Sequence, residues 1–269
     1  MERPVVAPVH ERNRRAAPWP IEFYRSAIGK KWVMAITGIL LMGFVFAHMA
    51  GNLKVFLGAD DLNHYGEWLR NLAAPPLPRT WFLWIERIGL IGTFGLHIWS
   101  GASLTLMNRR ARGEDRLVQK RDWQTANAAN RSMRLTGVVI LLLLIFHLTD
   151  LSWGQTNPDF KRGDVYRNLI ASLDRPVVAA AYIAFSLALG LHLLHGSWSL
   201  FQSLGLNNPR WNSWRKGFAI GFATVVTVGY LSVPIAVLTG VVSADDNSAC
   251  IKHGSTIETC ELYEGGEAP

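Results

Sequence analysis

His48, His97, His147, His192 and His195 lie inside long apolar stretches, each past the midpoint of its stretch. An ionisable ring at membrane depth is costly, so by default it marks a site. If the stretches are helices of alternating direction, this shared position becomes two levels. His48 and His147 fall nearer one membrane face, and His97 with His192 or His195 nearer the other. Two facing imidazoles at one level are the ligand set that holds a haem iron through both axial positions. His192 and His195 are three apart and share a helix face. Either can ligate while the other hydrogen-bonds a propionate, a quinone or a carbonyl. The competing reading of any single ring is a hydrogen-bonded packing residue of a membrane bundle.

The elements that would position these rings follow from composition. The chain has 269 residues, is 49% hydrophobic and holds 11 Trp. That is too apolar for an ordinary soluble domain, and the apolar residues are clustered. A membrane-crossing helix needs about 20 apolar residues, and barrel strands about half that. Five stretches qualify as helices: 33–57, 81–107, 135–153, 176–202 and 217–242. The expected fold is therefore an all-α membrane protein, a bundle of five transmembrane helices. A polar segment 1–31 precedes the membrane domain 32–242, and a polar tail 243–269 follows it. The first apolar run is too long for the core of a cleavable signal.

The net charge is +7, but its distribution argues against nucleic acid as a partner. Basic residues crowd the N-terminal segment (Arg12, Arg14, Arg15, Arg25, Lys30, Lys31), the second loop (Arg109, Arg110, Arg112, Arg116, Lys120, Arg121) and the fourth (Arg210, Arg215, Lys216). The other polar regions carry acids, among them Asp60, Asp61, Asp159, Asp164, Asp245 and Asp246. The positive-inside rule explains this pattern and puts the N-terminus in the cytoplasm and, after five spans, the C-terminus outside. The first outer loop holds an amphipathic stretch (Leu62, Tyr65, Trp68, Leu69, Leu72) ahead of the breaker Pro75-Pro76-Leu77-Pro78, expected to lie in the lipid interface.

Further polar groups gather at the outer level. His64, Tyr65 and Glu67 follow the first span. Trp81, Glu86 and Arg87 open the second, and Asp150 and Trp153 close the third. A quinone head group needs hydrogen-bond donors at its carbonyls and a proton source on reduction, which His64, Tyr65, Glu67, Trp81, Glu86, Asp150 and Trp153 could supply. A proton-relaying transporter or channel is a rival class. It predicts interrupted helices at matching places in two repeats, whereas Pro234 is the one mid-helix proline and five spans do not divide equally.

As a set, several segments are specific: Gly29-Lys30-Lys31-Trp32-Val33-Met34-Ala35-Ile36-Thr37-Gly38, Phe46-Ala47-His48-Met49-Ala50-Gly51-Asn52-Leu53, Gly95-Leu96-His97, Phe146-His147-Leu148, and His192-Leu193-Leu194-His195-Gly196-Ser197-Trp198-Ser199 running into Gln202-Ser203-Leu204-Gly205. Over roughly residues 25–242 the chain resembles the single-subunit, five-helix cytochrome b membrane anchor of succinate dehydrogenase and fumarate reductase (respiratory complex II). The resemblance implies residence in a bacterial-type cytoplasmic membrane with two soluble partners, a flavoprotein subunit that handles succinate and an iron–sulfur subunit. The anchor would pass electrons from the latter to a quinone, menaquinone or ubiquinone. It implies up to two haem b groups, on His48 with His147 and on His97 with His192 or His195. A quinone-binding anchor without a redox centre of its own is the lesser version of the same role.

One feature departs from that family pattern. Both cysteines, Cys250 and Cys260, lie in the tail on the side of His48 and His147. Three readings stand: a structural disulfide in an oxidising compartment, unpaired thiols, or a Rieske-type [2Fe–2S] centre on the two cysteines and two intramembrane histidines. In the last, His253 is a spare ligand.

Overall fold

The structure is a computed structural model that describes residues 18–111, 124–206 and 208–244. Among the described residues there are helices and connecting turns and no strand. Five helices are long and apolar enough to cross a membrane. They are α2 (Ala27–Asn52), α4 (Trp81–Ala111), α5 (Gln124–His147), α7 (Pro176–Ser203) and α8 (Asn212–Leu238). Three shorter helices lie at the ends of the bundle: α1 (Trp19–Arg25), α3 (Ala59–Asn71) and α6 (Val165–Leu173). Below, "upper" means the end capped by α3 and α6, and "lower" the end bearing α1.

The spans occur where hydropathy puts them, but several begin earlier. α2 starts at Ala27, where the Ser26 side chain accepts from the Gly29 amide at 2.9 Å and caps the helix. α5 starts at Gln124, well before its apolar run. Hydropathy marks the hydrocarbon-crossing part of a helix, while polar turns continue past it. The amphipathic stretch after the first span is α3, and its C-terminal loop is tied back by Thr80 N–H donating to the Arg70 carbonyl at 2.7 Å. α6 has no counterpart among the expected elements. Asp164 caps it by accepting from Arg167 N–H at 3.0 Å, and Asn63 of α3 donates to the same carboxylate at 3.1 Å. The two short helices thus close the upper end together.

Outward faces of the long helices are apolar and exposed, as with Ile88, Ile91 and Leu142, which suits lipid on the outside. Inside, α7 and α8 pack closely because Gly190 faces Thr227, where a Cβ would collide with the threonine side chain. Small residues permit such backbone approach in membranes. Met49 of α2 fills the matching space at Gly229 of α8. α2 packs on α4, α7 and α8, and α5 packs on α7. Among the described residues α4 and α5 are not in close contact with each other. At the lower end the Arg215 guanidinium is buried over the Trp198 ring, 4.6 Å from its centroid.

Candidate functional site

The expected pairing of histidines is what the helices produce. His48 on α2 and His147 on α5 face each other in the upper half, with ring centroids 5.9 Å apart and planes at 81°. His97 on α4 and His192 on α7 do so in the lower half, at 6.4 Å and 63°. An imidazole nitrogen sits about 2 Å from a bound transition metal, so two rings on opposite sides of one haem iron lie roughly 6 Å apart. Both pairs meet that spacing. His195 lies a turn below His192, with Nδ1 3.2 Å from Ser132 Oγ. His192, rather than His195, stands opposite His97.

Each paired ring has its Nδ1 at a hydroxyl whose own proton is already committed. Thr37 donates to the Val33 carbonyl at 2.7 Å, and its oxygen lies 3.1 Å from His97 Nδ1. Thr136 donates to the Ser132 carbonyl at 2.7 Å and lies 3.2 Å from His192 Nδ1. Tyr230 donates to the Val45 carbonyl at 2.9 Å and lies 3.1 Å from His48 Nδ1. Tyr182 donates to Asp150 Oδ2 at 3.2 Å and lies 3.5 Å from His147 Nδ1. A hydroxyl with its one proton spent can only accept. His97, His147 and His192 therefore carry their proton on Nδ1 and leave Nε2 bare, whereas at His48 the Asn52 amide NH2, a donor, also reaches Nδ1. A bare nitrogen with the other N–H hydrogen-bonded is the state in which histidine binds metal. The Asn52 amide lies 3.1 Å from the same Nδ1 of His48.

Glycine supplies room on the lower level. A Cβ at Gly38 would sit 3.6 Å from His97 Cε1, and one at Gly137 would sit 3.6 Å from His192 Cε1. Ring spacing and the hydroxyl partners on Nδ1 make the four histidines a fit for two bis-histidine haems.

Thr37, Thr136, Tyr182 and Tyr230 were not among the expected site residues. For the threonines a signal was present. Thr37-Gly38 precedes His48 by the same interval as Thr136-Gly137 precedes His147, with Met34 and Met133 again in register. The interval places threonine and histidine of one helix about 16 Å apart along its axis, the separation of the two levels. No comparable pattern announces the tyrosines.

The remaining expected residues scatter over the upper end. His64 is exposed on α3, and Tyr65 is half-buried, stacked on Trp68 at 5.8 Å with Lys54 Nζ 5.4 Å from its ring. Glu67 is engaged by Arg70 at 2.9 Å and Arg79 at 2.6 Å. These two guanidinium groups, Arg70 first, pull its carboxyl below the usual glutamate range. Trp81 and Trp153 are exposed and Glu86 is half-buried. Arg87 lies over the Trp84 ring at 5.1 Å. Asp150 is fully buried and ion-paired with Arg175. Cys250, Cys260 and His253 lie outside the described residues, and with them the disulfide and the cluster reading. Among the described residues no group of three or more His, Asp or Glu side chains converges as a metal site.

No curated protein and no solved structure matches the chain significantly. The family model described as succinate dehydrogenase/fumarate reductase transmembrane subunit matches residues 107–231, which hold His147, His192, Thr136, Tyr182 and Tyr230. Over that stretch, a little under half of the chain, the sequence is similar to the succinate dehydrogenase/fumarate reductase transmembrane subunit family, whose members are membrane anchors of such complexes.

Proposed function

We propose that this chain carries electrons between an iron–sulfur partner and a membrane quinone through two bis-histidine haem b centres, one at each level. Succinate oxidation or fumarate reduction takes place on the partner flavoprotein. The observation that carries the reading is the common arrangement of His48, His97, His147 and His192: opposed in pairs, each with Nδ1 at a hydroxyl whose proton is already committed.

The lower end is the cytoplasmic one by the positive-inside rule, with Arg25, Lys30, Lys31, Arg109, Arg110 and Arg210 available to a docked iron–sulfur subunit. When bound, haem would supply reversible one-electron chemistry. The chain itself would hold the irons through His97 and His192 below and His48 and His147 above, with Thr37, Thr136, Tyr230 and Tyr182 orienting the rings through Nδ1. Around the upper level, His64, Tyr65, Glu67, Trp81, Glu86 and Trp153 form the polar and aromatic rim from which a quinone head group would take hydrogen bonds. Asp150 lies inward of that rim, within the bundle. Polar groups at the interface and apolar helix faces below suit an amphiphilic quinone.

The test is the cofactor content of the purified complex. A dithionite-reduced spectrum of b type with two haems per copy of this chain supports the reading. Absence of haem, with acid-labile sulfide in excess of what the iron–sulfur subunit supplies, overturns the haem version and moves the centre to Cys250, Cys260 and two histidines. Absence of both haem and such an excess leaves a quinone-binding anchor alone.

A further inference from the structure

The upper level contains a device that the lower one lacks. Asp150 is 0% exposed and sits on the π-helical turn Leu148–Ser152 that continues α5 just beyond His147. A π turn shifts the phase of the residues that follow, and such turns concentrate at functional sites. Four side chains from separate segments converge on the carboxylate. Arg175 Nη2 donates to Oδ1 at 2.5 Å and Thr156 Oγ1 donates to Oδ1 at 3.2 Å. Ser172 Oγ and the Tyr182 hydroxyl both donate to Oδ2, the latter at 3.2 Å. Arg175 is half-exposed and also donates to the Thr156 carbonyl at 2.7 Å, so the network runs from the surface to the histidine.

An ionised carboxylate only accepts. The hydroxyl protons of Thr156, Ser172 and Tyr182 therefore point at Asp150, and Tyr182 can meet His147 Nδ1 only as an acceptor. We propose that Asp150 is a positioning residue for the iron ligand His147, acting through Tyr182: it fixes the direction of the tyrosine proton, and so keeps His147 protonated on Nδ1 with Nε2 bare for iron. This rests on the haem reading above. The lower histidines obtain the same result from backbone carbonyls and need no charged group.

The inference has a sharp consequence for Asp150→Asn. Arg175 can only donate, so it keeps the amide oxygen on its side and turns the NH2 toward Tyr182. Tyr182 must then accept from the amide, and its freed proton goes to His147 Nδ1. That moves the ring proton to Nε2 and blocks ligation, although Asp150 never touches His147.

The experiment compares the wild-type complex with Asp150→Asn and Tyr182→Phe, each purified with its partner subunits. In Asp150→Asn the haem held by His48 and His147 is expected to be lost or to become high-spin, while the other stays low-spin. Because removing half of a buried ion pair can prevent folding, Tyr182→Phe provides the second route. It leaves Asp150 satisfied by Arg175, Ser172 and Thr156. It is expected to raise the reduced-to-oxidised ratio of the upper haem alone at fixed potential, since His147 loses the acceptor that enriches its ring. Two low-spin haems in an assembled Asp150→Asn complex, or an unchanged upper-haem titration in Tyr182→Phe, overturns the proposal, and so does equal damage to both haems. If the wild-type complex holds no haem, the proposed function fails first. The relay is then read by 15N NMR of labelled histidine, where Nδ1–H at His147 in the wild type and Nε2–H in Asp150→Asn supports it. The same tautomer in both refutes it.

Discussion

At the lower level, His97 and His192 rest on threonines that are alike in every respect: each hydroxyl donates to a carbonyl one turn back on its own helix and accepts from the histidine of the neighbouring helix. At the upper level the two supports differ. His48 leans on Tyr230, whose proton goes to a backbone carbonyl of α2, whereas His147 leans on Tyr182, whose proton goes to a buried ion pair. Both levels place each Nδ1 at a hydroxyl whose proton is already committed. The lower reaches that state with local, neutral, duplicated parts, and the upper with long side chains from α7 and α8 and a charge brought in from α6's loop. On the proposed function, a centre facing a quinone has reason to differ from one facing a protein partner, because reduction of a quinone consumes protons as well as electrons.

The largest test of this comparison removes the rings. His97→Ala is expected to abolish succinate-to-quinone transfer and to remove the lower haem, while succinate oxidation with an artificial soluble acceptor persists. His48→Ala should remove the upper haem and keep the lower. Loss of both haems from either variant would show the levels to be one cooperative unit rather than two. The next test removes one hydroxyl while keeping the shape. Thr37→Val and Thr136→Val each leave a buried imidazole N–H without an acceptor, a loss of about 1–3 kcal/mol. Each should weaken haem retention at the lower level by about 10- to 100-fold, the usual size for a group that orients a metal-binding histidine. The two effects should be equal, as the two threonines are. A marked inequality, read by haem titration of the assembled complex, would break the symmetry claimed for that level.

The fold was legible because hydrocarbon-crossing helices are written as apolar runs, and the histidines stood out because imidazole is rare at that depth. His48, His97, His147 and His192 paired as their depths required. Choosing His192 over His195 took the helix phase, since the two share a face and differ by one turn. The Thr-Gly interval before His48 and His147 was readable, because a hydroxyl that donates to its own helix makes a local bond with a fixed register. Tyr182 and Tyr230 were not readable: a tyrosine reaches across helices, and which ring it meets depends on rotations that periodicity leaves open. α6 escaped notice because nine residues between polar turns carry too little apolar signal to separate from a loop. Asp150 was visible as a polar residue near the membrane surface, which suggested a quinone contact. Its burial comes from the π turn and from Arg175, neither of which hydropathy reports.

The smallest effect sharpens the contrast between the two acids of the upper end. Glu67 holds Arg70 and Arg79 much as Asp150 holds Arg175, but it is 43% exposed where Asp150 is 0%. Water screens the Glu67 pairs, so Glu67→Gln should cost less than about 1 kcal/mol and leave both haems intact. What remains should be seen through pH. The carboxyl of Glu67 is held below the ordinary glutamate range, chiefly by Arg70 and then by Arg79. Such a group binds fewer protons folded than unfolded, so its contribution is complete above the ordinary glutamate value and disappears as the pH falls through the depressed one. Melting of the detergent-solubilised complex at neutral pH and at a pH below the ordinary glutamate value should therefore show a small gap between wild type and Glu67→Gln that closes on the acid side. A gap that widens there, or a haem change in Glu67→Gln, would mean that the surface cluster is coupled to the buried one and that the upper end works as a single electrostatic unit.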